Sequence, residues 1–173
     1  MSEAELDEII SHLDDQYQSI ALVMAYTGLD LSDAVNLKWR DVSLKDGMIR
    51  TKRGKICNRI SIPLAQVVSN VLLFRNRVRR LHDDRVFNVG TQGFQKAWKR
   101  SLKKSSVDWN VRVKDLRHYF GSYMLNNGVE PVHIAELMRH SSLERCLKKD
   151  TGISMMRLLE KLCKTQVLSK ISS

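Results

Sequence analysis

Cysteine, proline and long apolar runs are scarce in this sequence, and each scarcity removes a class of protein. The three cysteines, Cys57, Cys146 and Cys163, are odd in number, far apart and in no CxxC or Cys/His spacing. Neither a disulfide framework nor a zinc site is expected, and buried reduced thiols are the plainer reading. No apolar stretch approaches the roughly 18 residues that span a bilayer, and the acidic N-terminus lacks the basic and apolar regions of a signal peptide. Membrane partners are therefore not expected. GxGxxG, GxxxxGK[ST] and HExxH are all absent, so nucleotide-dependent and zincin chemistry have no support and no cofactor or metal is expected.

What is present is positive charge on a chain of one-domain size. The 173 residues, 43% of them hydrophobic, suffice for one cored domain, and residues 1–173 are read as a single unit. The net charge of +10 is uneven, because residues 1–15 hold six acids (Glu3, Glu5, Asp7, Glu8, Asp14, Asp15) and no Lys or Arg. With all 29 basic residues and 13 of the 19 acids in residues 16–173, that stretch carries +16. A body so basic favours a polyanion, most commonly nucleic acid, which points to a cytoplasmic, nucleoid-associated protein.

Apolar spacing is mostly helical. Tyr17, Ile20, Ala21 and Met24 form one stripe, Leu64, Val67, Val68, Val71 and Leu72 a second, and Met155, Leu158, Leu159, Leu162 and Cys163 a third. Further helices are expected at about 31–38, 91–104, 115–127 and 131–138. Strand signal is confined to 42–62, where two β-rich runs flank Lys52-Arg53-Gly54-Lys55 and predict a hairpin with a basic tip. Pro63 closes that hairpin where a following helix would start, and Gly128 with Pro131 ends one helix and admits the next. The fold class is mainly α with a small antiparallel β-sheet. Arg75, Arg77, Arg79 and Arg80 form one basic cluster, and Lys96, Lys99, Arg100, Lys103 and Lys104 another; both suit a polyanion, and solvated helix faces have the same look.

Three blocks in order carry a resemblance. They are Thr27-Gly28-Leu29-Asp30-Leu31-Ser32-Asp33-Ala34 through Trp39-Arg40-Asp41-Val42-Ser43-Leu44, the hairpin from Thr51 to Leu64, and Val113-Lys114-Asp115-Leu116-Arg117-His118-Tyr119 continuing through Asn127-Gly128-Val129 and Leu137-Met138-Arg139-His140-Ser141-Ser142. Together, over about residues 17–152, they resemble the catalytic domain of the tyrosine recombinase (phage integrase) family. The resemblance implies the DNA breaking-rejoining fold, duplex DNA as partner, and metal-free transesterification. In that reaction a Tyr hydroxyl attacks phosphorus, two Arg clamp the non-bridging oxygens, a hairpin Lys protonates the leaving oxygen, and His, Lys or Trp side chains assist.

Four of those six places are filled here: Lys52 matches the hairpin Lys, Arg117 the second Arg, His140 the second His, and Lys114 stands where the family usually has His. Two are substituted. Asp30 replaces the first Arg, and Lys149, nine residues after His140, replaces the Tyr; no Tyr follows Tyr123. Asp30 fits a helix N-cap, which would turn it from phosphate. An ammonium with a pKa near ~10.4 has no free lone pair at neutral pH, so Lys149 is a phosphate contact and not a nucleophile. Tyr119 and Tyr123 are read as core or supporting aromatics.

The leading expectation is a catalytically disabled, integrase-like protein that binds duplex DNA through Lys52, Arg53, Lys55, Lys114, Arg117, His140 and Lys149. One alternative is an active recombinase subunit whose nucleophile comes from a partner or a displaced Tyr; another is an interaction module that keeps only the fold. About 16 residues precede the first matched helix, so an N-terminal core-binding domain is expected to be absent, the chain being a catalytic-domain fragment or a clampless protein. Residues 153–173 are expected to form a C-terminal helix that docks on a second copy or a full-length recombinase, or packs on its own core.

Overall fold

In the computed structural model the described residues are 1–52, 59–79 and 84–138. The element order is α1 (Glu3–Ser11), α2 (Asp15–Thr27), α3 (Leu31–Val35), a 3-10 turn (Trp39–Asp41), β1 (Val42–Ser43), β2 (Met48–Lys52), β3 (Arg59–Pro63), α4 (Gln66–Arg77), α5 (Thr91–Lys104), α6 (Asp115–Asn126) and α7 (Pro131–Met138). The expected fold class holds: helices dominate, and the strands form one antiparallel sheet in the order β1-β2-β3. The expected C-terminal helix at 153–173 and all three cysteines lie outside the described residues.

The chain divides into two compact units, Met1–Phe120 and Gly121–Ser173. In the first, Leu6, Ile9, Ile20, Met24, Val68, Leu72, Phe94, Trp98 and Leu116 are buried. Their spacing on α1, α2, α4, α5 and α6 is the helical i, i+3, i+4 pattern, so burying one stripe of each helix builds the core. Phe94 stacks on Trp98 at 6.0 Å and meets Tyr17 edge-on at 6.1 Å. In the second unit α6 ends at Asn126, Gly128 follows in the left-handed region at φ 77°, and Pro131 opens α7. Gly121 lets Met138 approach, its Sδ lying 3.1 Å from where a Cβ would stand.

Three sequence expectations are corrected. Residues 3–11 form a helix that the stripe reading, beginning at Tyr17, passes over. A Ser2–Glu5 capping box starts it, with the Ser2 N–H donating to Glu5 Oε2 at 2.6 Å and the Glu5 N–H to Ser2 Oγ at 3.2 Å. The helix at 31–38 stops at Val35, because the Val86 N–H donates to the Leu37 carbonyl and the Trp39 N–H to the Asp84 carbonyl, both at 2.9 Å. Those bonds hold the chain extended. Pro63 is the last residue of β3, paired with Met48, and does not open α4. The Leu64 N–H still donates to the Gly47 carbonyl at 2.8 Å, and the helix waits until Gln66.

The acids of α1 fasten the α5–α6 connection. The Trp109 indole donates to Glu5 Oε1 at 2.9 Å; the Ser106 N–H donates to Glu8 Oε1 at 2.5 Å and its hydroxyl to Oε2 at 2.8 Å. The Ser101 hydroxyl also donates to the Ile9 carbonyl, and the Trp98 indole to the Val111 carbonyl at 2.9 Å.

These bonds have a pH signature. Trp109 and the Ser2 backbone hold Glu5 below the ordinary carboxylate value, as the Ser106 backbone and hydroxyl hold Glu8. A depressed folded pKa gives stability that is full above the unfolded value of 4.5 and is lost as pH falls through the folded one. The urea midpoint should therefore drop as pH goes from 5 toward 3. Glu8→Gln should lower the midpoint at pH 7 and flatten that acid dependence; an unchanged pH profile would show that the Glu8 contact contributes nothing.

Candidate functional site

The junction between α2 and α3 is built around one residue without a side chain. α2 ends as the Gly28 N–H donates to the Met24 carbonyl at 3.0 Å, with Gly28 in the left-handed region at φ 67°. A Cβ there would lie 2.6 Å from Cδ1 of Phe120 on α6. Glycine is thus required twice, by the backbone and by the ring packed against it.

The start of α6 is set by Arg112 and Asp115. The Arg112 N–H donates to Asp115 Oδ2 at 2.8 Å, and its guanidinium Nη2 reaches Oδ1 at 3.1 Å. Burial acts to raise the Asp115 pKa, but the hydrogen bonds and charge of Arg112 outweigh it and hold the carboxyl below its usual range. With Leu116 and Phe120 buried, the helix turns Arg117 toward the α2–α3 junction. There its Nη1 donates to the Gly28 carbonyl at 2.7 Å and to Asp30 Oδ1 at 3.4 Å. The Arg117 side chain is only 14% exposed, and burial lowers its pKa while the charge of Asp33 opposes that. Reciprocally, Asp33 is raised by burial and held down by Arg117.

Of the sequence-predicted site residues, the structure brings Asp30 and Arg117 together. Asp30 occupies the N-cap of α3 (φ −71°, ψ 157°), as expected, but its side chain makes no capping hydrogen bond and reaches Arg117. Lys114 is exposed immediately before α6, its carbonyl accepting from the Arg117 N–H at 3.1 Å. Lys52 ends β2 opposite Arg59, and its side chain lies outside the described part, as do Arg53, Lys55, His140 and Lys149. Tyr119 is buried edge-on to Tyr26, centroids 5.9 Å apart; burial and the Tyr119 hydroxyl push the Tyr26 phenol well up. Tyr119 is therefore a core aromatic.

Two participants escaped the sequence reading: Asp33 as a second countercharge to Arg117, and the Gly28 carbonyl as its nearest acceptor. The signal for the first was the Asp30-x-x-Asp33 spacing, which sets two carboxylates on neighbouring positions of one helix face. Nothing in the sequence announces the second.

Gly28→Ala tests the junction. Left-handed backbone for a residue with a Cβ costs about 1–3 kcal/mol, and displacement of Phe120 adds to it. The variant should lose at least about 2 kcal/mol by urea unfolding, whereas Gly47→Ala, also at positive φ but with open space around it, should show the backbone cost alone.

Comparisons with known proteins identify the family and the fold. The model of the Phage integrase family matches residues 1–148. Tyrosine recombinase XerD of Listeria innocua is 30% identical over 139 residues, covering 73% of this chain and 46% of that protein. Tyrosine recombinase XerA of Pyrococcus horikoshii is 28% identical over 185 residues, covering 99% and 62%. The chain thus spans about half to three-fifths of the curated relatives' length. Among solved structures, the XerA recombinase superposes with a TM-score of 0.74 at 24% identity, covering 91% of this chain and 62% of that one. The lambda integrase catalytic core does so with 0.67 at 15% identity, covering 88% and 94%. These two show a shared fold, and the match of the family model over most of its length places the chain in the phage integrase family of tyrosine recombinases.

Proposed function

We propose that this chain is an integrase-like DNA-binding domain that no longer cleaves DNA by itself. The observation that carries the reading is the Asp30–Arg117 contact, with Asp33 adding a second negative charge. In the family's chemistry both Arg places bring donors to the phosphate; here one has become an acceptor that faces the other. A carboxylate about 4 Å from a phosphate charge repels it by ~1 kcal/mol in water and ~4 kcal/mol at an effective dielectric near 20, where an Arg would attract by as much. That swing and the loss of the Tyr at Lys149 act together against strand cleavage.

DNA binding rests on other features. The +16 body supplies charge, and solved neighbours include the Tn1549 transposon integrase in complex with circular intermediate DNA and a lambda integrase dimer bound to a core site. Lys52, Arg53, Lys55, Lys114, Arg117, His140 and Lys149 are the proposed phosphate contacts. Residues 153–173 are the proposed means of docking on a second copy or on a full-length recombinase.

Incubation with a nicked suicide duplex followed by denaturing electrophoresis should give no covalent adduct. The Asp30→Arg, Lys149→Tyr double variant should give one where neither single variant does. An adduct from the unaltered chain that vanishes with Tyr119→Phe or Tyr123→Phe would overturn the reading.

DNA affinity should fall linearly on a log-log salt plot, with a slope of about −0.9 per neutralised phosphate, and Lys52→Ala should shallow it by about one. Asp30→Asn removes that repulsion and one of the two countercharges of Arg117, so it should tighten binding several-fold, about 1 kcal/mol. Affinity indifferent to salt, or weakened by Asp30→Asn, would exclude this face as the binding surface.

A further inference from the structure

A second basic site lies in the first unit, where four separate stretches of the sequence meet. A cleft of about 360 Å³ is lined by Gln16 from α2, Trp39, Arg75, Val78 and Arg79 from the end of α4 and just beyond, and Arg85, Val86 and Asn88 from the segment before α5. Three guanidinium side chains converge on it, and no carboxylate lines it among the described residues.

Two of those guanidiniums rest on rings. Arg75 lies over Phe87 at 5.8 Å and Arg79 over Trp39 at 5.5 Å from the ring centres. For Arg75 two edge nitrogens, Nε and Nη2, are buried without a hydrogen-bond partner, as is Oε1 of Gln16 in the same cleft. Nε and Nη2 share one side of the guanidinium, the pair of parallel donors that takes two oxygens of a single oxyanion. Burial lowers the Arg75 pKa and Asp15 alone opposes this among the causes that shift it. Leaving charged donors buried and unmet is costly, and an oxyanion removes that cost.

We propose that this cleft binds a phosphate group, held side-on by Arg75 with Arg79 and Arg85 supplying charge and the Gln16 and Asn88 amides lining the wall. Phosphate fits better than carboxylate because three converging cations suit a group with more than two oxygens and more than one negative charge. A carboxylate would saturate the Arg75 fork and bring only one negative charge to a cleft lined by three cations. The group can belong to a small phosphate compound or to a nucleic-acid backbone, and the test separates these sources. The cleft shares no residue with the Arg117 junction and does not rest on the DNA reading above.

The experiment titrates the full chain with inorganic phosphate, following the Arg75 Nε–H and Trp39 indole resonances by ¹⁵N NMR. Both should shift saturably, and Arg75→Lys, which keeps the charge and removes the fork, should weaken binding at least tenfold. Gln16→Ala, chosen to leave the charge intact, should weaken it several-fold with the fold preserved. A duplex arm then assigns the source. If Arg75→Gln, which removes the charge, leaves DNA affinity and its salt slope unchanged, the ligand is a small phosphate compound; if it shallows the slope by about one, the ligand is a backbone phosphate. Absence of a saturable shift with phosphate, or an equal response in wild type and Arg75→Lys, would overturn the proposal.

Discussion

The guanidinium of Arg117 and the ring of Phe120, three residues apart on α6, converge on the same glycine. Arg117 donates to the Gly28 carbonyl at 2.7 Å, and the ring covers the position where a Cβ would be. A single left-handed residue thereby ends α2, admits α6 to close contact and offers an acceptor to a half-buried cation. Taking a guanidinium out of water is tolerable only when its donors are met. The carbonyl meets one at short range. Asp30 at 3.4 Å is long for a charge-assisted bond, which normally falls near 2.7–2.9 Å. The carbonyl therefore fixes where Arg117 sits, and the two carboxylates of α3 supply its countercharge.

The acids of α1 are arranged so that they do not quench the basic face of α5. Glu5 and Glu8 accept from the neutral donors Trp109 and Ser106. α1 packs against α5, yet the exposed cations of α5, Lys96, Lys99, Arg100, Lys103 and Lys104, make no ion pair among the described residues. The helix has Phe94, Ala97, Trp98 and Ser101 on its buried side, so those five cations face water. The acidic segment acts as a structural strap and leaves this field standing.

What the sequence made legible follows the range of the forces involved. α5 appears at 91–104 as read from its spacing, because a strongly two-faced helix carries its own signal. The hairpin and the Gly128–Pro131 break are equally local. The shortened α3 is not, since its end is decided by hydrogen bonds from Val86 and Asp84, far along the chain. The α1 region carries helical spacing at Leu6, Ile9, Ile10 and Leu13, but the six acids of residues 1–15 give the segment the character of a charged tail. The site was legible in type and not in geometry. The motif pairs Asp30 with Arg117 only by analogy, and a separation of 87 positions leaves no periodic trace. The arginine cleft was visible only as a basic cluster, because Gln16, Trp39 and Arg85 reach it from other segments.

The choice made by the Asp30 side chain shows how the fold weighs its electrostatics. As the N-cap of α3 it could have accepted from that helix's own N–H groups, and it does not. A five-residue helix presents at most about half a unit charge, spread over its first turn, whereas Arg117 presents a whole one in a half-buried position where screening is weak. The carboxylate goes to the stronger field. A phosphate approaching Arg117 must then compete with Asp30, Asp33 and the Gly28 carbonyl together. In the described part of the retained family positions, Lys114 is the exposed cation without that competition. On the proposed reading, affinity for a polyanion on this face shifts from the Arg117 junction toward Lys114, where a contact would hold a backbone without activating it.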